Sequence, residues 1–62
     1  MDNKKIKDIR DKLGLSQERF AALVGVTRVT IARWEDGTAQ PSPLAGRMLQ
    51  QIEKEMASDN AK

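Results

Sequence analysis

Apolar residues along this chain recur at helical intervals, and glycines punctuate them. Ile6, Ile9 and Leu13 follow one another at i, i+3 and i+7. Phe20, Ala21, Leu23 and Val24 make a second cluster with Leu15 and Val26 at its ends, and Leu44, Met48, Leu49, Ile52 and Met56 make a last one. Alternation with a period of two is nowhere sustained, so no strand is predicted. Gly14, Gly25 and Gly37 each close such a stretch, where a left-handed residue ends a helix without Cβ strain. Ser16 and Thr27 follow the first two glycines as N-caps. Ser42 precedes Pro43, which as a first helical residue gives up no needed hydrogen bond. The pattern predicts helices over 3–13, 17–24, 28–36 and 43–57 and a frayed tail over 58–62, all within one domain of residues 1–62. Gly46 interrupts the last helix at a cost of ~1 kcal/mol against alanine, which points to close approach of another helix. Methionines at this spacing read as core filler, not as a ligand stripe.

A chain of 62 residues makes one small domain, which buries only ~60% of the surface its unfolded form exposes. Domains this small lean on disulfides, metals, self-association or very regular helix packing. Cysteine and histidine are both absent, which removes disulfides and the commonest transition-metal ligands, and no Asp-rich calcium loop occurs. Tyrosine is absent too, so the usual nucleophiles and proton shuttles are missing and neither an enzyme nor a cofactor is expected. Eleven Lys and Arg against nine Asp and Glu leave a formal charge of +2. The excess sits at the amino end, where Lys4, Lys5, Lys7, Arg10 and Lys12 face Asp2, Asp8 and Asp11. A solvated helix face accounts for that cluster as readily as a phosphate contact does. No apolar run approaches the ~18 residues of a membrane span, and the start carries no signal-peptide pattern, so a soluble, cytoplasmic chain is expected.

Placing 28–36 at ~100° per residue sorts the side chains into two arcs. Thr27, Thr30, Ile31 and Trp34 fall on one side and read as a core face, the indole included. Arg28, Ala32, Asp36, Val29 and Arg33 spread across the other over roughly 140°. That outward arc suits a reader of the DNA major groove. Arginine grips guanine O6 and N7 with two hydrogen bonds, and a short apolar side chain touches a thymine methyl. Alanine at 32 keeps the helix close to the base edges. An ordinary solvent face with two solubilising arginines fits the arc equally well.

Residues 13–37 read Leu-Gly-Leu-Ser-Gln-Glu-Arg-Phe-Ala-Ala-Leu-Val-Gly-Val-Thr-Arg-Val-Thr-Ile-Ala-Arg-Trp-Glu-Asp-Gly. The skeleton Leu15-Ser16-Gln17, Phe20-Ala21, Val24-Gly25-Val26-Thr27, Thr30-Ile31 and Trp34-Glu35-x-Gly37 resembles the helix-turn-helix of the Cro and phage-repressor type, the XRE family. With the flanking helices the resemblance covers roughly residues 4 to 54. It implies an all-α, compact four-helix, lambda-repressor-like DNA-binding domain with its motif over 16–36. Helix 17–24 then lies across the DNA backbone and helix 28–36 enters the major groove, with dimers on two half-sites.

By position, the resemblance assigns base reading to Arg28, Val29 and Arg33, with Ala32 between them. It assigns phosphate contacts to Ser16, Gln17 and Thr27 and, in the loop after the recognition helix, to Thr38 and Gln40. Arg10 and Glu35 match a pair that joins helix one to the recognition helix in close relatives. The residue pattern agrees, since Arg10 lies among Ile6, Ile9 and Leu13 and an arginine there needs a partner.

Many family members have a fifth helix that helps dimerisation, for which this chain has no room. Its long fourth helix resembles the shorter antitoxin-like and small phage or plasmid members. The implied function is a sequence-specific transcriptional regulator, most often a repressor, in a prokaryotic or phage setting. Its partner is double-stranded DNA, as a homodimer on a near-palindromic operator and a monomer when free. Two alternatives are an antitoxin with a toxin partner, and a protein-interaction module that keeps the fold without DNA.

Overall fold

The computed structural model describes residues 2–60. Among them lie four α-helices and no strand: α1 Asn3–Leu13, α2 Gln17–Val24, α3 Arg28–Asp36 and α4 Pro43–Asn60. Local chemistry sets the helix ends. The side chains of Asp2, Ser16 and Thr27 accept the backbone N–H groups of Lys5, Arg19 and Thr30. Ser42 Oγ accepts from the Ala45 N–H at 3.2 Å, just ahead of Pro43. Each bond satisfies a donor that a helix start leaves without an intrahelical partner.

Gly25 sets the angle at which α3 leaves α2. Its φ of 92° lies in the left-handed region, where a Cβ is strained. Its N–H and that of Val26 both return to the Ala21 carbonyl, at 2.8 and 2.9 Å. α2 therefore stops and redirects into the Thr27 cap of α3 across only Gly25 and Val26. At the other end of the chain α4 runs past the expected stop at residue 57 to Asn60, and no glycine or proline lies between the two. The backbone of 58–60 is thus helical where fraying was expected, and 61–62 of that tail lie outside the described residues.

The core is built from Ile6 and Ile9 of α1, Phe20, Ala21 and Val24 of α2, Ile31 and Trp34 of α3, and Ala45 and Leu49 of α4. Leu13, Leu15, Val26, Ile52 and Met56 pack on its edges. Four expectations change. Leu23 is half exposed, because Phe20, Ala21 and Val24 take the inward side of α2. Leu44 and Met48 are exposed, because α4 turns Ala45, Leu49, Ile52 and Met56 inward and its apolar arc is wider than the surface that receives it. Thr27 is exposed and serves as a cap, not as core. Gly46 is not approached by another helix, since a Cβ there meets nothing within 4 Å.

The basic cluster of α1 is largely paired. Lys5 meets Glu53 of α4 at 2.6 Å, Lys7 meets Asp11 at 3.7 Å and Lys12 meets Asp8 at 3.3 Å. The hydrogen bond and charge of Glu53 raise the Lys5 ammonium above its ordinary value. These pairs are solvent-exposed and contribute little to stability. Among the described residues no helix is long and apolar enough to cross a membrane.

Candidate nucleic-acid interface

At nine residues α3 is too short to hold its shape in water, so its geometry comes from what it packs on. Ile31 and Trp34 are buried on its inner side, against α2 and α1. At its far end a polar clamp adds direction to that packing. Arg10 of α1 donates Nε–H to Glu35 Oε2 at 2.7 Å and Nη2–H to Oε1 at 3.0 Å. This is the bidentate geometry in which arginine and a carboxylate match best. The Arg10 Nη1 also donates to the Leu15 carbonyl at 3.0 Å. The two side chains are 15% and 7% exposed, so the pair is mostly removed from water.

Two further contacts were not legible in the sequence. Gln17 Nε2 donates to Glu35 Oε1 at 3.2 Å, and Asn3 Nδ2 donates to the Glu35 carbonyl at 3.2 Å. α1, the start of α2 and the end of α3 therefore meet at one residue. Burial pushes the Glu35 carboxyl up, but hydrogen bonds from Arg10 and Gln17 and the charge of Arg10 outweigh it, leaving it below the ordinary glutamate value. The hydrogen bond to Glu35 in turn raises the Arg10 guanidinium.

On the opposite side of α3, Arg28, Val29 and Arg33 are exposed, while Ala32 is half-buried. Val29 is 52% exposed between the two arginines. Among the described residues neither arginine is within 4 Å of a carboxylate. Both guanidiniums keep their full donor set for an outside acceptor.

The residues expected at phosphates flank this arc in different states. Ser16 and Thr27 are exposed at helix starts with their hydroxyl oxygens engaged as caps, and Thr27 Oγ1 also lies 3.0 Å from Thr30 Oγ1. Gln17 has one amide hydrogen held by Glu35 and a second free. Thr38 is exposed, but its N–H is bound within the turn to Asp36 Oδ1 at 2.8 Å and to the Arg33 carbonyl at 3.0 Å. The Thr38 side chain and N–H hold the Asp36 carboxyl below its ordinary value. Both the hydroxyl and the N–H of Thr38 thus face the Asp36 carboxylate, which leaves this residue the least available of the set for a phosphate. Gln40 is exposed. No group of three or more Asp and Glu among the described residues is placed to hold a metal ion.

A short turn, a buried inner face and an outward arc of free arginines on the second helix define a helix-turn-helix. The helix-turn-helix family profile matches residues 6–55. The chain belongs to this family, in its XRE branch of DNA-binding domains. It is 44% identical over 55 residues to an "Uncharacterized HTH-type transcriptional regulator" of Methanothermobacter thermautotrophicus, covering 87% of this chain and 80% of that protein. It is 48% identical over 40 residues to "Uncharacterized HTH-type transcriptional regulator YgzD" of Bacillus subtilis, covering 64% of this chain and 61% of that protein. The match thus spans less than two thirds of the Bacillus relative's length. No solved structure matches the chain.

Proposed function

We propose that this chain is a sequence-specific DNA-binding transcription regulator that represses by occupying an operator as a homodimer. The observation that carries the proposal is the outward arc of α3, where two unpaired arginines flank an exposed valine on a helix immobilised from behind. A solvent face tolerates a single exposed valine without using it. A groove-reading face does, because the thymine methyl is the one apolar feature of the major-groove edge. Arg33 and Val29 are the base readers, Arg28 stands at the helix entrance, and Ala32 sits back to let the helix close on the bases.

Ser16, Gln17 and Thr27 grip phosphates at the starts of α2 and α3, where helix N-termini favour anions. Thr38 and Gln40 extend that grip along the following loop. Phosphate contacts carry no sequence information, so Gln17→Ala is expected to weaken operator and scrambled duplex by similar factors. Titrations of both duplexes at one stated salt measure this, and a loss confined to the operator would make Gln17 a base reader.

One short recognition helix touches too few bases for useful specificity, so two copies should share a near-palindrome with half-site centres ~34 Å apart. Selection of duplexes from a random pool, followed by footprinting, tests this. The expected result is protection of two half-sites by two chains. Saturation at one chain on one half-site would overturn the dimer, and no selected sequence at all would overturn the function.

A further inference from the structure

One region of apolar surface belongs neither to the core nor to the arc of α3. Leu44 is 73% and Met48 41% exposed, one helical turn apart on α4. They stand as a ridge beside a cleft of about 300 Å³ whose other walls include Val24, Val26, Ser42 and Ala45. We propose that this ridge and cleft are the contact between two copies of the chain on adjacent half-sites, each ridge seated in the other's cleft. The inference rests on the DNA-binding reading above and supplies its dimer surface.

Shape, charge and size choose a second copy as the occupant. A two-fold contact presents the same patch on both sides, so a knob must lie next to its own socket. Leu44 and Met48 line the cleft that they would fill in the partner. None of the residues lining that cleft is charged; Arg47 lies outside it, with Gln51 in a second depression that Leu44 and Met48 also line. Seating the ridge in the cleft therefore puts no charge inside the cleft.

The patch is also small. A complex that stands alone buries ~800 Å² per partner from about 20–30 residues, far more than two side chains and a cleft supply. A partner held on the adjacent half-site is present at an effective concentration in the millimolar range, where a small apolar contact suffices. The walls of the cleft are the turn that leads into α3 and the start of α4 that follows it. A contact there links the two reading helices by a short route and sets their spacing.

The test uses Leu44→Gln, with Met48→Gln as a second variant, both neutral so that phosphate repulsion does not enter. Wild type and variants are titrated against a selected whole operator and against a duplex holding one half-site. The expected result is unchanged half-site affinity with at least a tenfold loss of the cooperative gain on the whole operator. A second arm needs no DNA. Between about 0.05 and 2 mM free protein, a range reaching the effective concentration on the operator, concentration-dependent NMR shifts should centre on the Leu44, Met48 and Val26 methyls and vanish in the variants. Shifts centred elsewhere or absent, or wild-type cooperativity in both variants, would overturn the contact. Shifts at these methyls in a chain that selects no duplex would uphold the contact and sink the DNA reading instead.

Discussion

Arg10→Met is expected to destabilise the chain by ~3 kcal/mol or more, the cost of leaving a buried carboxylate without its partner. For a domain of this size that is a fall in melting temperature of at least about 12 °C. The variant strands Glu35, whose side chain is 7% exposed, with only the Gln17 amide still bonded to it. Replacing both partners together, Arg10→Met with Glu35→Leu, should cost far less, because no charge is then left in the interior.

The pH dependence adds a sign that simple loss of packing does not share. In the wild type the Glu35 carboxyl titrates below its ordinary value. Its contribution is therefore fully present above the unfolded glutamate value of ~4.3 and is lost as pH falls through the lower folded value. In Arg10→Met the lone carboxyl is raised by burial, so its penalty is relieved by acid. The stability gap between wild type and variant should narrow as pH falls from neutrality. A gap that stays constant, or single and double variants that melt at the wild-type temperature, would mean that the pair does not hold α3 to α1.

Arg33→Ala is expected to cost ~1–3 kcal/mol on the operator, to relax preference at one guanine, and to leave scrambled duplex nearly unchanged. The arginine lies exposed beyond the middle of α3, with its inner neighbours Ile31 and Trp34 buried, so truncation removes a donor fork without disturbing the fold. Val29→Ala should act the same way at a thymine, and uracil in place of that thymine should mimic it by deleting the methyl. Equal losses on operator and scrambled duplex would make Arg33 a phosphate clamp. Binding compared at one salt concentration is essential, because phosphate contacts dominate non-specific affinity and weaken steeply with salt.

Helix ends were legible because they are written in one or two adjacent residues: Ser16, Thr27 and Ser42 as caps, and Gly14, Gly25 and Gly37 at positive φ. The Arg10–Glu35 pair was legible from a charge placed on an apolar face, together with the family resemblance. The outward arc of α3 followed from periodicity, because a nine-residue helix with Ile31 and Trp34 inside has little freedom in which face it exposes.

What was not legible depends on neighbours distant in the chain. Periodicity showed a wide apolar arc on α4, but not that the rest of the fold covers only part of it, which leaves Leu44 and Met48 outside. The bonds of Gln17 and Asn3 to Glu35 span 18 and 32 residues and have no local signature. Gly46 carried a helix-breaking cost that no close approach explains. For Thr27 the helical angle points to the core and the place at the helix start points to a cap, and the structure keeps only the cap.

The central claim is that α3 reads base edges in the major groove, and one cycle of measurements addresses it directly. Wild type and Arg33→Ala are titrated against the selected operator and against the same duplex with 7-deazaguanine at the guanine whose preference the variant relaxes. That base lacks only the N7 acceptor on the major-groove edge. The account predicts that the modified base weakens wild type by ~1–3 kcal/mol and costs Arg33→Ala almost nothing further, because the contact is already gone. Equal losses for both proteins, or none for either, would contradict it.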